Sequence, residues 1–281
     1  MSDFPMTSIG GIPVSRVVCG TNPFLGFSHF SHSRDAWLRR YFTVERIIEV
    51  LEVCREFGLN TIIGPTSELA WKATRDHERQ TGHHWVWLCT PGGRTWKDVV
   101  PGVKWCADHG TEVCLPHQGY TDNNLVTAED RIEGAPELLQ TIRDHGMIPG
   151  WSTHRPETIL VSDKAGYDVE TYILPYNSIG FLCPVETDWT GHVIRETPKP
   201  VICIKPLGAG RIMPPTGLGF VINSNKFIDT VAIGFMGPEE AKEDLTIARD
   251  LLEQRGQQAA KEYELQYTRS KASLVREKTE K

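Results

Sequence analysis

Short, nearly unbroken apolar runs alternate with stretches of helical periodicity from near the first residue to about residue 254. The runs predict eight strands, over 15–19, 60–63, 85–89, 111–115, 147–151, 168–174, 201–205 and 229–233. A strand with one wet face alternates apolar and polar positions, but VVC, WVWLC and VICI do not. They read as strands buried on both faces, the condition of parallel strands under helices. Between them, Val44, Ile47, Ile48, Leu51 and Cys54 recur at helical spacing behind the N-cap Thr43, and Gly58 closes the segment. Leu138, Leu139 and Ile142 mark another helix, ended by Gly146. After the last strand a helix opens at Pro238 with Glu239 and Glu240 in its first turn and a stripe of Ala241, Leu245, Ala248, Leu251 and Leu252. The sixth crossover, Phe181 to Pro200, is the least helical and is expected to be mostly loop. Eight βα units in about 250 residues predict an α/β fold, a (β/α)8 TIM barrel, rather than an open sheet. No Gly-x-Gly-x-x-Gly follows the first strand, which weakens a dinucleotide-binding open-sheet reading. The pattern thus predicts one barrel domain over 1–254 and a polar C-terminal tail over 255–281, a helix or partly disordered.

Composition narrows the class. Of 281 residues 40% are apolar and 23% charged, and the formal charge is −6. That mixture belongs to a folded globule, and the acidic balance argues against a nucleic-acid partner. No apolar run of about 18 residues exists, so no membrane span is expected. The start, Met-Ser-Asp-Phe-Pro, lacks the basic-then-apolar pattern of a signal peptide, and a cytoplasmic location is expected. The seven cysteines (Cys19, Cys54, Cys89, Cys106, Cys114, Cys183 and Cys203) are odd in number and scattered, and no Cys-x-x-Cys occurs. They read as packing residues rather than disulfides or a zinc site. Oligomeric state is left open, a homo-oligomer included.

In barrels of this kind the site gathers at the C-terminal ends of the strands. His117 follows VCLP and His154 follows GWST, so on neighbouring strands about 4.8 Å apart the two imidazoles can share one small ligand. Acid/base catalysis or polarisation of a carbonyl is the favoured role. A divalent metal is the less favoured one, since a third ligand is needed and Glu68 and Glu186 are poorly placed for it. Lys205 closes the run VICIK and either enters the mouth or snorkels out; in the mouth it binds an anion or forms a Schiff base. Asn22, Thr90 and Gln118 stand at other strand ends as substrate contacts. Gly208, Gly210 and Arg211 after the seventh strand, and Gly234 and Gly237 after the eighth, are candidate anion contacts where barrels often hold phosphate. The long first loop, Gly20 to His32, reads as a lid or pocket wall. A metal pair at His29 and His32 is disfavoured, and Trp85, Trp87 and Trp151 read as core or pocket wall.

Several of these stretches carry a resemblance. KPVICIKPLGAGR followed by DTVAIGFMGPEEAKEDL resembles the end of the aldo-keto reductase barrel. MIPGWSTHRPETI is similar to that family's fifth strand and loop, DVETYILPYN to its sixth, and VCLPHQGYTDN to the fourth, which carries the catalytic histidine. The resemblance covers residues 10–254 and implies a barrel in which Ser152, Asn177 and the seventh and eighth loops face NAD(P)H. It implies His117 as the catalytic histidine and Tyr176 as a pocket tyrosine. The family's other three catalytic groups, an aspartate, a tyrosine and a lysine, have no counterpart. Ile63 or Gly64 stands at the aspartate, no tyrosine stands in the loop between Gly64 and Ser67, and Thr90-Pro91 replaces the expected Thr-Lys.

Three readings follow. The first is an enzyme that turns over a small oxygenated metabolite, sugar-like or carbonyl-bearing, by proton transfer. In it His117 is the acid/base, and His154, Tyr176 and Lys205 orient the substrate. The second keeps NAD(P)H as cofactor and reduces a carbonyl at a non-standard site. The third is a ligand-binding barrel without catalysis.

Overall fold

The computed structural model describes residues 4–258. Its first element was not read from the sequence: β1 (Met6–Ile9) and β2 (Ile12–Ser15) form an antiparallel hairpin turned by Gly10-Gly11. Both glycines have positive φ, the conformation that a two-residue hairpin turn demands. Ser15, expected in the first barrel strand, belongs to this hairpin, and the strand itself is β3 (Val17–Gly20).

Each barrel strand then leads to helix. After β3 come α1 (His32–Tyr41) and α2 (Val44–Glu56). Then follow β4 (Thr61–Gly64), α3 (Glu68–Thr81), β5 (Val86–Cys89), α4 (Trp96–Asp108) and β6 (Val113–Cys114). The next crossover holds the one-turn α5 (Gln118–Thr121), a small hairpin of β7 (Leu125–Val126) and β8 (Arg131–Ile132), and α6 (Ala135–Asp144). The fifth barrel strand is split at Gly150 into β9 (Ile148–Pro149) and β10 (Trp151–Ser152), followed by α7 (Glu157–Ala165). The chain ends in β11 (Tyr172–Pro175), α8 (Thr187–Glu196), β12 (Val201–Ile204), α9 (Pro214–Ser224), β13 (Thr230–Gly234) and α10 (Pro238–Gln258).

All pairings in the main sheet are parallel, in the order β10-β11-β12-β13-β3-β4-β5-β6-β9. Its two ends are halves of one strand, so the sheet is a nearly closed (β/α)8 barrel. The split has a steric cause. A Cβ at Gly150 would lie 2.7 Å from Leu115 and 2.8 Å from the Thr171 carbonyl oxygen, so the backbone itself packs against the neighbouring strands there.

Alternation sorts the side chains into two layers. Val18, Ile63, Leu88, Leu115, Ile173, Ile202 and Ala232 face the axis, where Ile9 and Val14 of the hairpin join them and fill one end. Cys19, Ile62, Trp87, Cys114, Leu174, Cys203 and Val231 face outward against the helices. All seven cysteines are free thiols, six of them buried, and Trp85, Trp87 and Trp151 are buried core residues.

The crossover expected to be loop contains α8. Its sequence, TDWTGHVIRE, has poor helix propensity, but Thr190, Gly191, Val193 and Ile194 are buried, and packing decides. Gly191 is required there, because a Cβ would approach the Tyr176 hydroxyl to 2.5 Å. The sixth strand starts at Tyr172 rather than 168. Residues 255–258 continue α10, and the rest of the expected tail lies outside the described residues.

Candidate functional site

A cavity of about 690 Å³ opens at the C-terminal ends of the strands. Ile63, Ile173, Ile204 and Ala232, all from barrel strands, are among its lining residues. Over this apolar base stand three nitrogen groups expected from the sequence, His117, His154 and Lys205. Asn22, Thr90, Gln118, Ser152, Gly210 and Gly234 also line it. Tyr176, Asn177, Gly208, Arg211 and Gly237 do not appear in its wall.

Strand parity accounts for most of this. His117 lies two residues beyond the inward Leu115, and Thr90 two beyond the inward Leu88. Tyr176, by contrast, is three residues beyond the inward Ile173 and turns outward; it is 2% exposed and packs on Phe220 at 5.1 Å between ring centroids. Asn177 is fully buried with its side-chain amide bonded to the Phe181 backbone at both ends. Tyr120, on α5, donates its hydroxyl to the Glu133 carbonyl at 2.7 Å. No phenol lines the cavity.

Lys205 breaks the parity. Ile202 faces the axis, Cys203 the helices and Ile204 the cavity, so regular alternation would send residue 205 outward. Its backbone has φ 60°, the left-handed region that L-residues avoid, and the side chain lines the cavity instead. Such a conformation costs on the order of 1–3 kcal/mol. His29, Leu182 and Ala209, all in loops at this end of the barrel, also have positive φ.

The Lys205 ammonium has no carboxylate partner among the described residues. Its polar contact is His154 Nε2 at 3.3 Å. Burial pulls its pKa down to about 8. The same burial, with the charge of Lys205 and then the imidazoles of His117 and His29, pulls His154 down to about 3. His117 is lowered by burial and by Lys205, and so is His29 at the rim. His154 is therefore neutral at physiological pH, and its Nε2 accepts from the ammonium.

His117 has a fixed tautomer. It is the N-cap of α5, and its Nδ1 accepts the Gly119 N–H at 3.2 Å. An Nδ1 that accepts leaves the proton on Nε2, so neutral His117 is a hydrogen-bond donor through Nε2. His154 is held by a residue that sequence reading missed. Asp122 accepts from the Thr153 hydroxyl and from the His154 N–H, whose nitrogen lies 3.1 Å from Oδ2 and 3.2 Å from Oδ1. Burial raises the Asp122 pKa, while these donors favour its charged form. Asp122 follows α5 and lies 32 residues before His154, so no local signal marks the pair.

The first loop is a wall, as its length implied. Asn22, Phe27, Ser28 and His29 line the cavity. Asp35 on α1 accepts the Ser28 N–H at 2.8 Å and its hydroxyl, and Arg39 reaches the Gly26 carbonyl at 3.3 Å. Arg211 clasps the mouth: it donates to the carbonyls of Gly208 at 3.0 Å and His29 at 3.3 Å and stacks over Phe181 at 4.4 Å. One arginine thus ties together the first, sixth and seventh loops.

These commitments decide whether a dinucleotide fits. Arg211 is spent on the loops. At the start of α10 the Met236 N–H, a natural phosphate donor, is already given to Glu240, whose carboxylate lines the cavity. A second carboxylate, Glu239, sits in the same turn. The residues present do not complete a site for a pyrophosphate. Among the described residues no three metal-ligating side chains gather, at the His29–His32 pair or elsewhere.

The sequence matches no known family model. It has no significant match among curated proteins. Solved structures do resemble it. A Pseudomonas aeruginosa protein assigned to the aldo-keto reductases is 16% identical over 88% of this chain and 94% of its own, with TM-score 0.66. A glycerol dehydrogenase from Gluconobacter oxydans is 10% identical over 94% and 98%, with TM-score 0.62. An aldo-keto reductase from a deep-sea metagenome is 10% identical over 88% and 94%, with TM-score 0.57. At such identities the likeness is one of fold: this is an aldo-keto-reductase-like barrel.

Proposed function

We propose that this barrel is an enzyme acting by acid/base chemistry on a small, negatively charged, carbonyl-bearing or sugar-like metabolite. The observation that carries the reading is the contact of Lys205 with His154 in a cavity whose lone carboxylate, Glu240, is already engaged. A partly desolvated ammonium without a counter-ion is a receptor for an anion or a polarised oxygen. Perturbed groups gathered in a concave site are the physical mark of a functional centre.

Each side chain then has a role. His117 Nε2–H donates to the carbonyl oxygen and stabilises negative charge developing there. Once a bound anion neutralises the Lys205 charge that depresses it, His154 regains basicity and removes or returns a proton there. Lys205 anchors the anionic end, and Asn22, Thr90, Ser152 and Gln118 supply hydrogen bonds that orient the rest. The Arg211 clasp and the first loop restrict water at the mouth. Hydride transfer from NAD(P)H is the less favoured reading, because no phenol reaches the cavity and two anion donors of the last two loops, Arg211 and the Met236 N–H, are already engaged. An unbiased screen tests the proposal: protein is incubated with a metabolite mixture and consumption followed by mass spectrometry. Turnover that disappears in His117→Ala is expected; turnover indifferent to that change refutes the assignment.

A further inference from the structure

We propose that Lys205 is a covalent nucleophile, forming an imine with the carbonyl group of its substrate while His154 carries the proton away. The inference rests on the acid/base function proposed above and replaces the anchoring role given there to Lys205 with a covalent one, since proton transfer alone needs only a positioned base. Three features of the geometry set Lys205 apart from an anion anchor. Its backbone leaves the strand alternation at φ 60° to bring the amine into the cavity. No carboxylate among the described residues pairs with it, so nothing holds it permanently protonated. The group at 3.3 Å from its nitrogen is a proton acceptor, His154 Nε2, rather than an anion. An exposed lysine is almost wholly ammonium near neutral pH, with no lone pair to offer. A desolvated one keeps an appreciable neutral fraction, as the lowered pKa of Lys205 implies.

The step balances without an added reagent. The neutral Nζ lone pair forms a C–N bond to the carbonyl carbon as the C=O π pair moves to oxygen, where the His117 Nε2–H donates. His154 Nε2 takes a proton from the new ammonium centre and delivers it to that oxygen, giving the carbinolamine. The nitrogen lone pair then expels the oxygen as water, leaving a protonated imine. The two hydrogens that make the water with the carbonyl oxygen come from the amine and from solvent by way of the imidazoles. The iminium withdraws electron density from the adjacent carbon and so acidifies the proton there. Addition of water reverses the sequence and frees Lys205. The substrate class is therefore a small aldehyde or ketone with a hydrogen on the carbon beside the carbonyl.

The test traps the imine. Intact protein is treated near neutral pH with pyruvate or glycolaldehyde and sodium cyanoborohydride, and modified lysines are mapped by mass spectrometry. Lys205 is expected to be alkylated by at least one probe roughly tenfold or more faster than surface lysines, because more of it is unprotonated. His154→Gln is expected to slow that adduct several-fold while leaving surface labelling unchanged. Lys205→Met, checked for folding by circular dichroism, loses the adduct. Labelling of Lys205 no faster than surface lysines with both probes overturns the proposal. If that happens while the metabolite screen still shows His117-dependent turnover, the acid/base reading stands and only the covalent step is lost. Rapid labelling of Lys205 in a protein whose turnover ignores His117 has the opposite meaning: the nucleophile stands and the acid/base assignment falls.

Discussion

Replacing Lys205 by methionine is expected to stabilise the protein, and the pH at which it does so is fixed by the site. The Lys205 pKa falls from 10.5 to about 8 on folding, through burial. The native state therefore binds this proton more weakly than the unfolded chain, and its stability rises with pH wherever the unfolded chain holds the extra proton. For Lys205 that window runs from about pH 8 to 10.5. Below it the penalty is constant and full; above it the penalty vanishes. Each pKa unit corresponds to about 1.4 kcal/mol, so the shift amounts to about 3 kcal/mol, or roughly half that after screening by water in an open cavity. Methionine keeps the length and apolar stem and removes the charge. The strained backbone is common to both proteins and cancels. Urea unfolding of wild type and variant, repeated from near neutrality to about pH 10.5, should show Lys205→Met more stable by about 1.5–3 kcal/mol at the low end. The gap should close as pH rises. In a chain of this size that difference moves Tm by only about 3–5 °C, so the denaturant measurement is the sharper one. A variant less stable than wild type near neutrality, or a gap flat across the range, refutes the claim that Lys205 is desolvated and unpaired.

Other consequences are independent of that lysine. Asp244 on α10 is 1% exposed, neither carboxylate oxygen has a hydrogen-bond partner, and its pKa is pushed up to about 7 by burial and then by Glu240 and Glu243. A raised carboxyl contributes stability below its unfolded value of 3.8 that is lost as pH rises to about 7, so Asp244→Asn should match wild type near pH 4 and exceed its stability near pH 8 in thermal melts. A Cβ at Gly64 would fall 1.7 Å from Thr21 Oγ1, so Gly64→Ala should cost about 1–3 kcal/mol in urea unfolding, with part recovered in the Gly64→Ala/Thr21→Ala pair. Titration with NADPH to millimolar concentration should give no saturable quenching of tryptophan fluorescence; saturable quenching would show that the last two loops rearrange to take a dinucleotide.

The barrel was legible because its strands are buried on both faces and leave no alternation to misread. The misses have local causes. The opening hairpin is two four-residue runs around Gly10-Gly11, a turn signal too short to stand out before the longer apolar runs. Helix α8 was missed because Thr190 and Gly191 are chosen for contact with the core, Gly191 against the Tyr176 hydroxyl, and not for helix propensity. At the site, residues directly after a strand were found by position alone, which brought in His117, His154 and Lys205. The resemblance, together with position, also brought in Tyr176 and Asn177, whose parity or hydrogen bonds direct them elsewhere. Counting alternation from the last inward residue would have separated Tyr176 from His117. Asp122 acts on His154 from a different crossover, and only the fold brings the two together.

The same counting, applied to Lys205, gives the wrong answer, and that failure bears on function. Alternation from Ile202 and Ile204 places residue 205 on the helix-facing side, where Cys203 already packs. The chain reverses this with a left-handed residue where glycine would be cheaper, and the reversal takes a cation out of water without giving it an anion. Backbone strain and desolvation both oppose folding here, and among the described residues no carboxylate offsets them; the side chain's polar contact is the neutral His154 imidazole. Proteins hold such conflicts between local rule and observed structure mainly where chemistry requires them. The resemblance to the aldo-keto reductases implies an aspartate, a tyrosine and a lysine beside the histidine, with the aspartate at the second strand end and the lysine at the third. In this chain the second and third strand ends carry only Gly64 and Thr90, and the reactive nitrogen enters from the seventh. Two imidazoles kept neutral beside one amine can move its proton without competing for it, whereas an aspartate in their place would lock the amine as ammonium. The missing carboxylate is thus a condition for the chemistry proposed at Lys205, and introducing one, as in Thr90→Asp, should raise the lysine pKa and suppress its reductive alkylation near neutral pH.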